Sequence, residues 1–198
     1  MRSNSLADRI IKPENCAIAF GIPTTVEDFE RDLCHPNKDF SKIYNGVRQK
    51  YVKEFLNPLH KTEPVMTRLG VNVIHNLRLD DFGELFQKEK LEVVILFSHW
   101  KDHSVEFYDG FAEITQIVNE IPIDLSGIID LCVCHPKELT FALRKLRPNY
   151  LVRFTDKEAT PFFWLYFYLA LFSHLANNEL TYLDALKELI IASFKTTR

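Results

Sequence analysis

Apolar residues along this chain fall into two kinds of run, and the two kinds alternate. Cys16 to Ile22 (CAIAFGI) is short, continuously apolar and closed by Gly21 and Pro23, which reads as a buried strand. Val71 to Ile74, Leu91 to Phe97 (LEVVILF), Gly127 to Cys134 (GIIDLCVC) and Tyr150 to Phe154 read the same way. Continuous runs of this kind suit strands covered on both faces, not strands with one wet side. Between them the spacing turns helical. Thr25 can cap a helix, with Asp28 three residues on, and the pattern continues from Val26 to about Leu56 with a break near His35-Pro36-Asn37. Pro58 and Pro64 are expected to close that section.

Leu79, Phe82, Leu85 and Phe86 repeat at helical spacing, with Asp80 and Asp81 at the start of a helix running to about Lys88. Pro136 suits the first turn of a helix over Lys137 to Leu146. Two more helices are expected over Pro161 to Ala176 and Tyr182 to Phe194. Phe107 to Asn119 reads as helix or as irregular insertion. Strands alternating with helices predict an α/β fold: a three-layer α/β/α sandwich with a largely parallel sheet. No repeat, low-complexity tract or linker interrupts it. The expectation is one domain over residues 1–198, its N-terminal strand-helix portion (about 1–65) packed on a core of 66–198.

The bulk properties narrow the function. With 46% hydrophobic and 26% charged residues, the 198-residue chain has the composition of a globular domain. A net charge of −3 lacks the basic footprint of phosphate binding, so no direct nucleic-acid partner is expected. Phe162 to Phe172 (FFWLYFYLALF) is apolar throughout, but falls far short of the roughly 20 residues of a membrane span. It reads as a core helix, with an exposed partner or lipid surface as the alternative. Met1 to Asp8 carries no apolar leader, so the expected location is cytoplasmic, with Cys16, Cys34, Cys132 and Cys134 reduced.

Candidate chemistry lies where strands end. In open parallel sheets, sites gather beyond the carboxyl ends of the strands. One strand runs out into Ser98-His99-Trp100 and another into Cys134-His135-Pro136. If the two are parallel neighbours, His99 and Cys134 emerge on one sheet edge, which suits a thiol nucleophile served by imidazole. The helix after Pro136 would add backbone N–H groups and a positive dipole end near the sulfur. Cys132, two residues back on the same strand face, is the alternative nucleophile. His103 is the alternative base. Arg153, at the end of its strand, is either a surface residue or the holder of an acidic substrate side chain.

The stretch from about Gly70 to Lys187 resembles the CHAT domain, a branch of the caspase-like cysteine peptidases. The similarity rests on the Asp- and Leu-rich helix Leu79 to Phe86 ahead of the strand Val93-Val94-Ile95-Leu96-Phe97-Ser98-His99. It rests equally on Ile128-Ile129-Asp130-Leu131-Cys132-Val133-Cys134, then Leu139 to Leu146, Tyr150 to Phe154, Thr155-Asp156, Pro161 to Leu175 and Asp184-Ala185-Leu186. Ala17 to Pro23 looks like the family's first strand and turn. The resemblance implies a caspase-like fold with Cys134 as nucleophile and His99 as its proton partner. The backbone N–H groups of Trp100 and Cys134 would form the oxyanion hole. It implies a protein substrate, a regulatory or activating protein partner in a bacterial defence or signalling system, and no cofactor. The family has Gly where this chain has Trp100, and that departure supports the second expectation, a non-catalytic binding module on the same fold.

Other polar positions invite blander readings. Cys132, Cys134 and His135, with Cys34-His35 elsewhere, are off the paired spacing of zinc sites, so no metal is expected. Asp80, Asp81 and Glu84 mark a helix start. His75 reads as a strand-end residue and His174 as a hydrogen-bonded helix residue.

Overall fold

Each predicted strand forms, and all five enter a single parallel sheet. The computed structural model describes residues 6–33, 44–88, 91–134, 136–154 and 159–195. The chain opens with β1 (Cys16–Phe20), α1 (Val26–Leu33), α2 (Tyr44–Tyr51), a π-helical turn (Val52–Leu56), α3 (Asn57–Arg68), β2 (Asn72–Ile74), α4 (Leu79–Lys88) and β3 (Val93–Phe97). Three short strands follow, β4 (Trp100–Lys101), β5 (Ser104–Phe107) and β6 (Gly110–Glu113), then α5 (Ile114–Glu120). The last part is β7 (Gly127–Cys132), α6 (Lys137–Leu146), β8 (Tyr150–Phe154), α7 (Pro161–Asn177) and α8 (Tyr182–Lys195).

The sheet order is β2-β1-β3-β7-β8, and every pairing is parallel. The chain first steps from β1 to β2 on one side, then crosses back to β3 on the other. Right-handed crossovers therefore place α3 on one face and α4, α5 and α6 on the opposite face. α7 and α8 return to the first face. Side-chain alternation along the strands divides the core accordingly. Ile18, Phe20, Ile95, Phe97 and Ile128 pack with Phe55, Leu59 and Tyr168. Ala17, Ala19, Val94, Leu96 and Ile129 pack with Phe82, Ile117 and Leu139. Burial on both faces explains why these strands read as unbroken apolar runs. Layer by layer, the molecule is an α/β/α sandwich.

Helix ends follow the expected chemistry. Thr25 Oγ1 accepts from Asp28 N at 3.0 Å at the start of α1, and Thr181 repeats the arrangement with Asp184 at the start of α8. At the open side of β8, Arg144 of α6 donates to the Val152 carbonyl at 2.8 Å and stacks over Phe154. α7 buries Leu165, Tyr168, Leu171 and Phe172 but leaves Phe162, Phe163 and Tyr166 exposed. Among the described residues no helix is long and apolar enough to cross a membrane.

Two expectations are corrected. Pro58 and Pro64 do not end a helix; both lie in α3. Pro58 stands at the junction of the π turn with α3, in a run that stays helical from Tyr44 to Arg68, and withholds a donor from the preceding turn. Pro64 sits further in and removes the donor that would serve the His60 carbonyl, yet α3 holds because Leu59, Thr62 and Met66 are buried against the sheet. The second correction concerns residues 100–113, which form a three-stranded antiparallel sheet in the order β4-β5-β6, with helix only from Ile114. Val105 and Phe107 enter the core there, and Tyr108-Asp109 makes the β5–β6 turn, with Gly110 paired to Phe107. The expected break at His35-Pro36-Asn37 lies outside the described residues.

Candidate active site

The reversal of strand order across the sheet falls between β1 and β3, and both strands end on the edge that carries the candidate residues. β3 and β7 are direct neighbours, with Phe97 opposite Cys132 as the last paired position. The ladder then extends one step, as Ser98 N donates to the Cys132 carbonyl at 3.2 Å. His99 and Cys134 each stand two residues past that last pair, one on each of the two neighbouring segments. Register thus brings the two segments out at the same edge of the sheet. His99 is half-buried and Cys134 is exposed. α6 opens directly after Pro136, with Thr140 N donating to the Pro136 carbonyl at 2.8 Å.

Trp100 begins the β4–β5 hairpin, and its setting bears on the missing glycine. Its φ is not among the left-handed values of the described residues, which outside glycine are those of Asn76, Asp102 and His103. The turn after His99 therefore makes no demand for glycine at position 100. Glu106 N donates to the His99 carbonyl at 3.0 Å, which makes Trp100 and Val105 a non-hydrogen-bonded pair of the antiparallel ladder. The Trp100 N–H consequently points away from β5. The indole packs against the α4–α6 side of the core.

Close approach of the hairpin to the sheet fixes this arrangement. Gly21 N donates to the Phe97 carbonyl at 3.1 Å. A Cβ on Gly21 would lie 2.4 Å from the Glu106 carbonyl oxygen, so the hairpin backbone rests directly on the end of β1. Ser98 Oγ donates to the same carbonyl at 2.5 Å, and Glu106 itself is fully buried.

The two neighbouring cysteines differ in chemistry. Cys132 is buried, and that burial, followed by the Asp130 carboxylate, pushes its thiol well above the ordinary range. A thiol so held is a poor nucleophile at neutral pH. Cys134 lies beyond the strand in the open. Behind Cys132, Arg153 donates to Asp130 Oδ2 at 2.5 Å, Tyr182 donates to the same oxygen at 2.7 Å, and Tyr168 stands 3.5 Å from the guanidinium. Arg153 is thus answered inside the fold, its side chain only 16% exposed. Asp130 raises its protonation equilibrium further, against the opposing effect of burial.

Remaining candidates separate cleanly. His103 sits at the hairpin tip, with Nδ1 2.7 Å from Glu138 Oε2 at the start of α6. His75 pairs with Glu63 at 2.8 Å and His174 with Glu188 at 2.6 Å. Asp80 and Asp81 occupy the first turn of α4, where Leu79 N donates to Asp109 Oδ1 at 3.3 Å. Among the described residues no three His, Cys, Asp or Glu side chains gather as a metal site; Cys34, His35 and His135 lie outside them. A cavity of about 260 Å³ opens at the end of β2, lined by His75, Asn76, Asp81 and Glu84, and neither His99 nor Cys134 contributes to it. Sequence reading gave Gly21 only as a strand end and assigned no role to Asp130 or Glu138. Of the latter two, only Asp130 carried a signal, as the one charged residue in its apolar strand.

Compared with known protein families and with curated proteins, the chain matches none.

Proposed function

We propose that the chain is a caspase-like cysteine peptidase, with Cys134 as nucleophile and His99 as its proton partner. The observation that carries this reading is the β3–β7 register, which brings the two segments out side by side at the sheet's carboxyl edge. Cys134 sulfur attacks the peptide carbonyl carbon as His99 takes the thiol proton. The imidazole then delivers that proton to the departing amine, leaving a thioester that water hydrolyses. The N–H groups of Trp100 and Cys134 receive the oxyanion, the former favoured by its orientation away from β5. The indole's packing against the core supports catalysis over the alternative of a binding module whose mouth is filled by Trp100. Exposed Phe162, Phe163 and Tyr166 on α7 support a protein partner on that helix.

An electrophilic peptide probe tests the reading. Labelling should disappear in Cys134→Ala, fall steeply in His99→Ala and survive in Cys132→Ala. Absence of labelling in the parent chain, even with candidate partners present, would overturn it in favour of the binding module.

A further inference from the structure

Glu106 on β5 is fully buried, and its backbone is fixed from two sides. Its carbonyl accepts from Ser98 Oγ at 2.5 Å and stands 2.4 Å from where a Cβ on Gly21 would lie. Across the antiparallel β4–β5 ladder, Lys101 pairs with Ser104 and Trp100 with Val105. One step further from the turn, His99 falls opposite Glu106, and Glu106 N donates to the His99 carbonyl at 3.0 Å. Residues directly opposite in such a ladder project to the same face, with Cβ atoms about 5 Å apart. Val105 and Phe107 take the other face and enter the core with Phe82, Ile117 and Leu139, and Trp100 packs beside them. His99 and Glu106 therefore share the face that remains, with Phe111 of β6 opposite Glu106 on its far side.

We propose that Glu106 is the positioning residue of His99: its carboxylate flanks the imidazole, fixes which ring nitrogen carries the proton and balances the charge that the ring acquires. The proposal rests on the reading of His99 as the proton partner of Cys134.

Burial separates the two side chains into different tasks. His99 is half-buried, so one edge of its ring meets the interior while the other stays open. Glu106 is closed to solvent and has Phe111 as its neighbour across the ladder, so water screens its charge little and its pull on a nearby cation is strong. When the Cys134 thiol gives its proton to His99, the sulfur becomes a thiolate and the ring an imidazolium. Glu106 takes no proton in that step. It supplies a fixed acceptor that holds the ring's orientation and a negative charge that favours the imidazolium.

Imidazole nitrogen NMR on the full chain, labelled at histidine and assigned for His99 with a His99→Gln spectrum, tests the contact directly. At about pH 9, where an ordinary histidine is neutral, the parent should show one dominant His99 tautomer. Glu106→Met, similar in size but without an acceptor, should show a mixture of the two. Glu106→Gln keeps the size and an acceptor but loses the charge. It should melt like the parent and lower labelling of Cys134 by an electrophilic peptide probe about tenfold or more. An unchanged His99 tautomer ratio in folded Glu106→Met, or parent-level labelling in Glu106→Gln, overturns the proposal. Should Glu106→Met fail to fold, the Glu106→Gln labelling decides. A parent chain that takes no label overturns the peptidase reading instead, and the tautomer ratio then decides by itself whether Glu106 orients the ring.

Discussion

Asp130 and Arg153 face each other across the β7–β8 ladder, and their side chains meet at 2.5 Å beneath α7 and α8. The carboxylate is fully buried, and its second oxygen has no hydrogen-bond partner among the described residues. Removing the cation therefore strands a half-satisfied charge inside the protein. Arg153→Met should destabilise the chain by about 3–5 kcal/mol. The double replacement Asp130→Leu with Arg153→Met should recover most of that loss, as read by urea unfolding.

Burial ranks the thiols. Iodoacetamide at neutral pH should modify Cys134 in the native chain and leave Cys16 and Cys132 untouched until denaturant is added, because both are buried and burial raises both thiols. Native modification of Cys132 at a comparable rate would contradict this ranking.

Two glycines offer a paired test of what the hairpin does. A Cβ on Gly83 would meet the Glu120 carbonyl at 1.8 Å, where α4 crosses α5, while one on Gly21 would meet the hairpin. Either alanine variant should cost about 1–3 kcal/mol by overpacking. Only Gly21→Ala should also slow probe labelling of Cys134, since it lifts the segment that carries Trp100. Equal labelling in the two folded variants would separate the hairpin from the chemistry.

Alkaline pH should weaken the fold partly through Tyr150, whose phenol is pushed up to about 12 by burial and then by Asp124. The folded chain holds this proton more tightly than the unfolded one. Its stabilising effect is whole below the ordinary tyrosine value, about pH 10, and is lost as pH climbs toward 12. The Tyr150 hydroxyl has no hydrogen-bond partner among the described residues, so Tyr150→Phe should match or exceed the parent at neutral pH. Thermal melts from neutral to alkaline pH should show a shallower decline in the variant.

The five strands were legible because each is covered on both faces and so leaves a continuous apolar run with little competition from helical spacing. That the segments carrying His99 and Cys134 leave the sheet at one edge was legible only conditionally, because it needs β3 and β7 to be neighbours, a tertiary fact. Asp130 with Arg153 lay further out of reach, since a partnership across 23 residues depends on register. The β4–β6 sheet was missed for a local reason. Its strands are only two to four residues long, too short for alternation to stand out, although the dipeptide Asp109-Gly110 at the β5–β6 corner is a hairpin signal. Pro58 and Pro64 misled because burial of one helical face outweighs a missing backbone donor.

Arg144 has a consequence for self-association. Among the described residues the five-stranded open sheet ends in two unpaired rims, and β8 is one of them. With a guanidinium already seated on the Val152 carbonyl, midway along that rim, an incoming strand would have to evict a charged donor before it could add to the sheet. Growth of the sheet from molecule to molecule is hindered by a single side chain.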